Sequence, residues 1–203
     1  MPFSIPSELP RPELRGQRSG ALQRAMATLL LLLPASALPQ AKPTDYDVKA
    51  AYVFNFGKFM RVAAAESTAP RHPTFDICIL GRDPIGPVLD GITAKESIEN
   101  RAVRVVRTAD AYAAQGCEIL FISSGEGDGI RADLAALGKA DVLTVSDAPD
   151  FLKDGGMIQF VMQQSHVRFA VNLEAVEHTH LVLSSELLRV ALSVTGKPRE
   201  VQP

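Results

Sequence analysis

From residue 74 onward, short apolar runs alternate with stretches whose apolar residues recur at helical spacing. Strand-like runs fall at residues 75–80, 103–107, 119–122 and 142–145, and helical segments at 85–92, 109–115 and 130–137. Strand–helix alternation of this kind predicts βαβ units and a parallel sheet with helices on its faces. The pattern changes after residue 156. Two runs, 157–162 and 167–172, are separated by Gln163-Gln164-Ser165-His166, which predicts an antiparallel hairpin added to that sheet. A closing helix follows, with Ser184 or Ser185 as N-cap, Glu186 in the first turn, and Leu187, Leu188, Val190, Ala191 and Val194 as its apolar positions. The expected fold class is α/β: a mostly parallel sheet flanked by helices, with a C-terminal antiparallel hairpin and a closing helix.

Ahead of this alternation, Thr44 or Asp45 caps a helix expected to run to about Val62, with Val48, Tyr52, Phe56, Phe59 and Met60 as one apolar stripe. Tyr46, Tyr52, Phe54, Phe56 and Phe59 are five of the chain's twelve aromatic residues. That density exceeds the needs of one core-facing stripe, because Phe54 points off the main face. Asn55 and Gly57 are poor helix formers within it, so something other than helix propensity placed them there. Asn55, Lys58 and Arg61 share the polar side of the same helix. Arg168 and Asn172 stand at alternate positions of a predicted strand and face the same way. Phe54, Asn55, Lys58, Phe59, Arg168 and Asn172 are therefore the candidate residues for binding a partner or an anionic ligand, with ordinary solvated faces as the alternative.

The start of the chain differs from the rest. Arg11, Arg15, Arg18 and Arg24 precede an apolar run at residues 25–35, and Ala35-Ser36-Ala37 supplies a small-residue cleavage pattern. This reads as a secretory signal peptide over residues 1–37, too short to span a bilayer. A linker at 38–45, one domain at 46–195 and a flexible tail at 196–203 complete the expected organisation. Loss of residues 1–37 removes four Arg and two Glu, which takes the net charge from −2 to −4. A mildly acidic chain carries no basic surface for nucleic acid. After cleavage no segment is apolar for long enough to anchor the protein in a membrane. In an oxidising compartment the two cysteines, Cys78 and Cys117, suggest a disulfide, with two buried free thiols as the alternative.

Catalytic chemistry finds little support. Gly81-Arg82-Asp83-Pro84-Ile85-Gly86 follows a strand and precedes a helix, but Pro87 and Val88 stand where a P-loop needs Lys and Ser or Thr. Asp83 as N-cap with Pro84 at the first helical position accounts for it. The loop Ser123-Ser124-Gly125-Glu126-Gly127-Asp128-Gly129 carries two carboxylates, which repel phosphate and are too few for calcium. His178 and His180 lack the accompanying ligands of a metal site, and Ser146 lacks a nucleophile elbow. No catalytic residue, metal ligand or cofactor is assigned.

Lys49-Ala50-Ala51-Tyr52-Val53-Phe54-Asn55-Phe56-Gly57-Lys58-Phe59 resembles the opening signature of the YfiR family. Six further segments resemble that family in its order: residues 77–86, 116–123, 142–147, 155–161, 167–173 and 184–191. The resemblance implies an exported α/β domain, often a homodimer, that acts as a regulator and not as an enzyme. It implies as partner a membrane-bound diguanylate cyclase, or another inner-membrane sensor protein, restrained through its periplasmic region, with cyclic di-GMP signalling and biofilm growth as the output. A small-ligand-binding accessory module of another envelope system is the alternative. The positions of Cys78 and Cys117 look like the family's disulfide pair. Relatives usually follow the first helix with an acidic residue, Trp and Pro, whereas this chain has Phe59-Met60-Arg61-Val62 and no Trp at all.

Overall fold

A computed structural model describes residues 42–63 and 72–197, and the side chains of all of these except 126–128. The signal peptide, half of the linker and most of the tail expected above lie outside the described residues.

The first helix, α1 (Asp45–Lys58), opens on a capping box. Thr44 Oγ1 accepts from the Asp47 N–H, and the Asp47 carboxylate accepts from the Thr44 N–H. It ends four residues earlier than its sequence pattern suggests, because Met60, Arg61 and Val62 are drawn into a strand, β1 (Met60–Val62), by pairing with a later one. Gly57 is buried at the place where α1 crosses the sheet. A Cβ there would come within 2.8 Å of Ile98 Cδ1 and 3.0 Å of Phe75 Cζ. Close packing against that ring therefore outweighs the helix penalty of glycine.

The chain then alternates as expected: β2 (Thr74–Leu80), α2 (Gly86–Thr93), β3 (Ser97–Ile98), β4 (Arg101–Thr108), β5 (Ile119–Ile122), α3 (Ile130–Leu137) and β6 (Leu143–Ser146). Strands β4, β2, β5 and β6 lie side by side and parallel. Alternate residues of β2 and β5 serve two cores. Ile77, Ile79, Ile119 and Phe121 point towards α1 and α2, while Cys78, Leu80, Leu120 and Ile122 point to the opposite face beside α3. Burial on both faces is why these strands read as unbroken apolar runs. Cys78, on β2, and Cys117, two residues ahead of β5, form a disulfide with their Cα atoms 6.1 Å apart. It joins neighbouring parallel strands, which is the placement the bridge needs.

The segment at 109–115 is not an α-helix. A 3₁₀ turn, Tyr112–Gly116, stands there, begun by the Asp110 carboxylate accepting from the Ala113 N–H at 2.8 Å and stopped within five residues by Gly116. Asp83 accepts from the Gly86 N–H, but α2 starts only at Gly86, so Pro87 and not Pro84 occupies the first turn.

The expected hairpin is present as β7 (Ile158–Gln163) and β8 (His166–Asn172), antiparallel, with β7 parallel to β6. Its two-residue loop, Gln164-Ser165, has φ of 49° and 61°, the left-handed pair that a tight type I′ hairpin requires. After β8 come a short helix α4 (Leu173–Glu177), β9 (Leu181–Leu183), α5 (Ser185–Val190) and β10 (Ser193–Thr195). The closing helix is thus shorter than its apolar pattern, which ran to Val194. The β-branched residues Val194 and Thr195 return to the main sheet as an edge strand parallel to β8. The eight-stranded sheet has the order β10-β8-β7-β6-β5-β2-β4-β3, and β1 and β9 form a separate antiparallel pair. No helix among the described residues is long and apolar enough to cross a membrane.

Candidate functional site

The aromatic residues of α1 sort into three environments. Tyr52 and Phe56 pack against Phe160 and Phe169 of the hairpin, with ring centroids 5.0–6.0 Å apart. Edge-to-face and offset contacts of this kind hold rings beyond their area alone. Phe54 is also core, only 5% exposed, because α1 is covered by α2 and β1 as well as by the sheet. It is not the surplus ring its helical phase suggests, and Lys58 Nζ lies over its face at 4.2 Å. Two rings stand out, Tyr46 in the first turn, 41% exposed with Lys49 Nζ over its face at 4.6 Å, and at the other end Phe59. Phe59 caps the helix and is 41% exposed.

Phe59 is held in that exposed position by its backbone. Its N–H donates to the Phe56 carbonyl at 3.1 Å, and its own carbonyl accepts from the Ser184 N–H at 2.9 Å. Ser184 is the N-cap of α5, so one short segment fixes both the ring and the start of the helix facing it. Between them runs a crevice of about 400 Å³, floored by Tyr52, Phe56 and Phe169 and walled by Asn55, Phe59, Leu187 and Val190. A second hollow of about 380 Å³ continues past Phe59 to Lys58, Arg61 and Val182. Phe59 and Glu186 line both, so they form one groove.

The crevice between Phe59 and α5 is apolar within, the hollow beyond it is more polar, and the rim is cationic. Lys58, Arg61 and Arg189 line it against a single carboxylate, Glu186. That carboxyl is held below its ordinary pKa by its own backbone N–H and by the Ser184 hydroxyl, and so remains charged. Lys58 also faces Glu96, at 3.9 Å. An apolar cleft with a few charged groups at its mouth suits a side chain or small molecule that is apolar in its body and anionic at one end.

The structure brings together only part of the sequence-derived candidate set. Asn55, Lys58 and Phe59 meet at the groove, and Phe54 reaches it only through Lys58. Arg168 sits at the sheet margin, its Nη2 donating to the Val190 carbonyl at 3.4 Å. Asn172 serves as N-cap of α4, accepting from the Ala175 N–H, and donates to the Leu152 carbonyl at 3.2 Å. It lines a separate polar hollow of about 660 Å³ with Asp150, Lys153, Gln159, Glu174 and His178. Glu186, Arg189 and Val190 were not singled out from sequence. Their signal is an apolar residue, Val190, at a helix end that the amphipathic pattern assigns to the core.

Other candidates have structural partners. Ser146 is buried, its Oγ donating to the Ile122 carbonyl at 2.6 Å and accepting from the Ala148 N–H. His180 Nδ1 lies 3.0 Å from Asp141, away from the exposed His178. At the carboxyl ends of β5 and β6, Lys49 Nζ meets Asp147 at 2.6 Å with both side chains largely buried, and Asp147 also accepts from the Ser124 N–H. That pair ties α1 to the sheet.

No curated protein matches this chain. Among solved structures it is similar to a conserved domain protein from Vibrio cholerae O1 biovar El Tor strain N16961, with a TM-score of 0.51 and 9% identity over 72% of this chain. The chain spans 60% of that protein, and at such identity the likeness concerns the fold. Residues 46–192 match the YfiR/HmsC-like family, which covers α1 through α5, both cysteines and the aromatic groove. The chain belongs to the YfiR/HmsC-like family.

Proposed function

We propose that this chain is a periplasmic regulator that restrains a membrane-bound diguanylate cyclase by docking on its periplasmic sensor region. The observation that carries the reading is the exposed Phe59 on an apolar groove with a cationic rim, in a member of the YfiR/HmsC-like family. Exposed aromatic and Arg side chains around a concave apolar site are the usual anchors of an interface. Export through the N-terminal signal peptide places the protein on the same side of the membrane as that region. Its role is regulatory and not catalytic, and because Phe59-Met60-Arg61-Val62 stands where relatives carry a Trp after the first helix, the surface it offers that partner differs from theirs.

Binding of the purified protein to the isolated periplasmic region of a GGDEF-containing inner-membrane protein of the same organism tests this, by biolayer interferometry. Wild type is expected to bind, and Phe59→Ala and Arg189→Glu to weaken binding tenfold or more. Equal binding by all three removes the groove from the account, and no binding by wild type removes this partner.

The polar hollow around Asn172 and Gln159 favours a second reading, a small-ligand-binding accessory module of another envelope system. A ligand that raises the melting temperature of wild type but not of Gln159→Leu would support it.

A further inference from the structure

The hairpin has a second face, turned away from the aromatic groove, and its lining is of a different kind. Side chains alternate along a strand, so Gln159 and Asn172 lie on the side opposite Phe160, Phe169 and Val171, which belong to the core beneath α1. There they line the polar hollow of about 660 Å³, together with the turn at 150–155, Glu174 and Ala175 of α4, His178, and Thr195 of β10. The two amides fasten the turn to the sheet. Gln159 Oε1 accepts from the Leu152 N–H at 3.3 Å, and Asn172 Nδ2 donates to the Leu152 carbonyl at 3.2 Å. Asp150 stands in that turn with a φ of 61°, a left-handed conformation that Asp tolerates better than most residues, and accepts from Lys153 Nζ at 2.5 Å. These bonds leave hydrogen-bonding capacity of both signs. Among the described residues, the Gln159 amide keeps both N–H donors and Asn172 keeps one, while the Glu174 carboxylate and the exposed His178 ring have no partner.

We infer that this hollow binds a neutral, polyhydroxylated ligand, a sugar of disaccharide size. A hydroxyl both donates and accepts, so a row of hydroxyls meets the open amide donors and the open carboxylate acceptors at once. An anionic ligand would face Asp150 and Glu174, and a cationic one would face Lys153. Leu152 and Ala175 give the C–H face of a sugar ring an apolar seat between those polar groups, the usual balance of a small-molecule site. The inference rests on the small-ligand reading of this hollow and names its ligand class. The aromatic groove, on the other side of the sheet, takes no part in it.

Saturation-transfer NMR on the purified protein reads the outcome. Maltose, cellobiose and diacetylchitobiose serve as neutral disaccharides, maltobionate as the anionic arm and the glucosamine dimer as the cationic arm. At least one neutral disaccharide is expected to bind, and more tightly than either charged sugar. Gln159→Leu and Glu174→Leu are each expected to weaken that binding tenfold or more. Tyr112→Ala, which removes an exposed ring elsewhere, should leave it unchanged. Circular dichroism reports whether Gln159→Leu, which also loses its bond to Leu152, keeps its fold, and Glu174→Leu breaks no such bond. A neutral sugar that binds both variants as it binds wild type, or that is lost with Tyr112→Ala, overturns the inference. Binding by maltobionate or the glucosamine dimer alone also overturns it and leaves the small-ligand reading standing. Silence from all five sugars overturns both.

Discussion

The centre of the sheet and its β10 margin are made from similar residues used in opposite ways. Strands β5 and β6 are buried at every position, whereas β10 is exposed at every position and α5 leaves Val190 in solvent. At the centre, apolar side chains are matched on two faces and stapled by Cys78–Cys117. At the margin, Phe59, Val190, Leu192 and Val194 have no such cover. Apolar residues contribute to folding where they are enclosed. Left uncovered next to a cation-rimmed groove and an open strand edge, they are available for association.

Substitutions sharpen that contrast. The largest effect is expected from Phe121→Ala, which empties part of the fully buried core between β5 and α1. It should cost about 3–5 kcal/mol in chemical denaturation. Replacing both cysteines by Ala should cost on the order of 3–4 kcal/mol, since the bridge closes a loop with a sequence separation of 39. Gly57→Ala should cost about 1–3 kcal/mol, because its Cβ would press on Ile98 and Phe75. Phe59→Ala, by contrast, should change stability by less than about 1 kcal/mol, its ring being half in solvent, while removing partner binding. A Phe59→Ala loss as large as that of Phe121→Ala would erase the distinction between centre and margin.

Acid sensitivity should also belong to the enclosed part. Burial alone would raise the pKa of Asp76 on β2, but hydrogen bonds from Arg104 and Thr74 outweigh it and hold the carboxyl below its ordinary value. A depressed carboxyl stabilises the fold above its unfolded pKa, about 3.9, and that contribution fades as the pH falls through the lower folded value. Asp76→Asn should therefore be less stable than wild type at pH 7, with the gap closing below about pH 4. Urea midpoints across pH measure it, and a gap constant down to pH 3 would contradict it.

The enclosed part was also the legible part. Strands buried on both faces announce themselves as unbroken apolar runs, and residues 119–122 and 130–137 match β5 and α3 as observed. The disulfide was expected from an even number of cysteines in an oxidising compartment, with two free thiols as the alternative, and Cys78 is bonded to Cys117. The margin was harder because its elements depend on distant pairing. Met60-Arg61-Val62 reads as the end of a helix until β9 supplies a partner 121 residues later, in the register Met60↔Leu183 to Val62↔Leu181. Val194 reads as the last turn of a helix until β8 offers an edge. Of the candidate residues, Asn55, Lys58 and Phe59 share the groove because they share a helix end. Arg168 and Asn172 share a strand face but go to the sheet margin and a helix cap. Local periodicity carries no information about either.

Cyclic di-GMP, measured in cells lacking this gene and in the same cells supplied with wild type or Phe59→Ala, tests the regulatory reading most directly. The level should rise on deletion, return with wild type, and stay high with Phe59→Ala although that protein accumulates normally. An unchanged level in the deletion strain would contradict it.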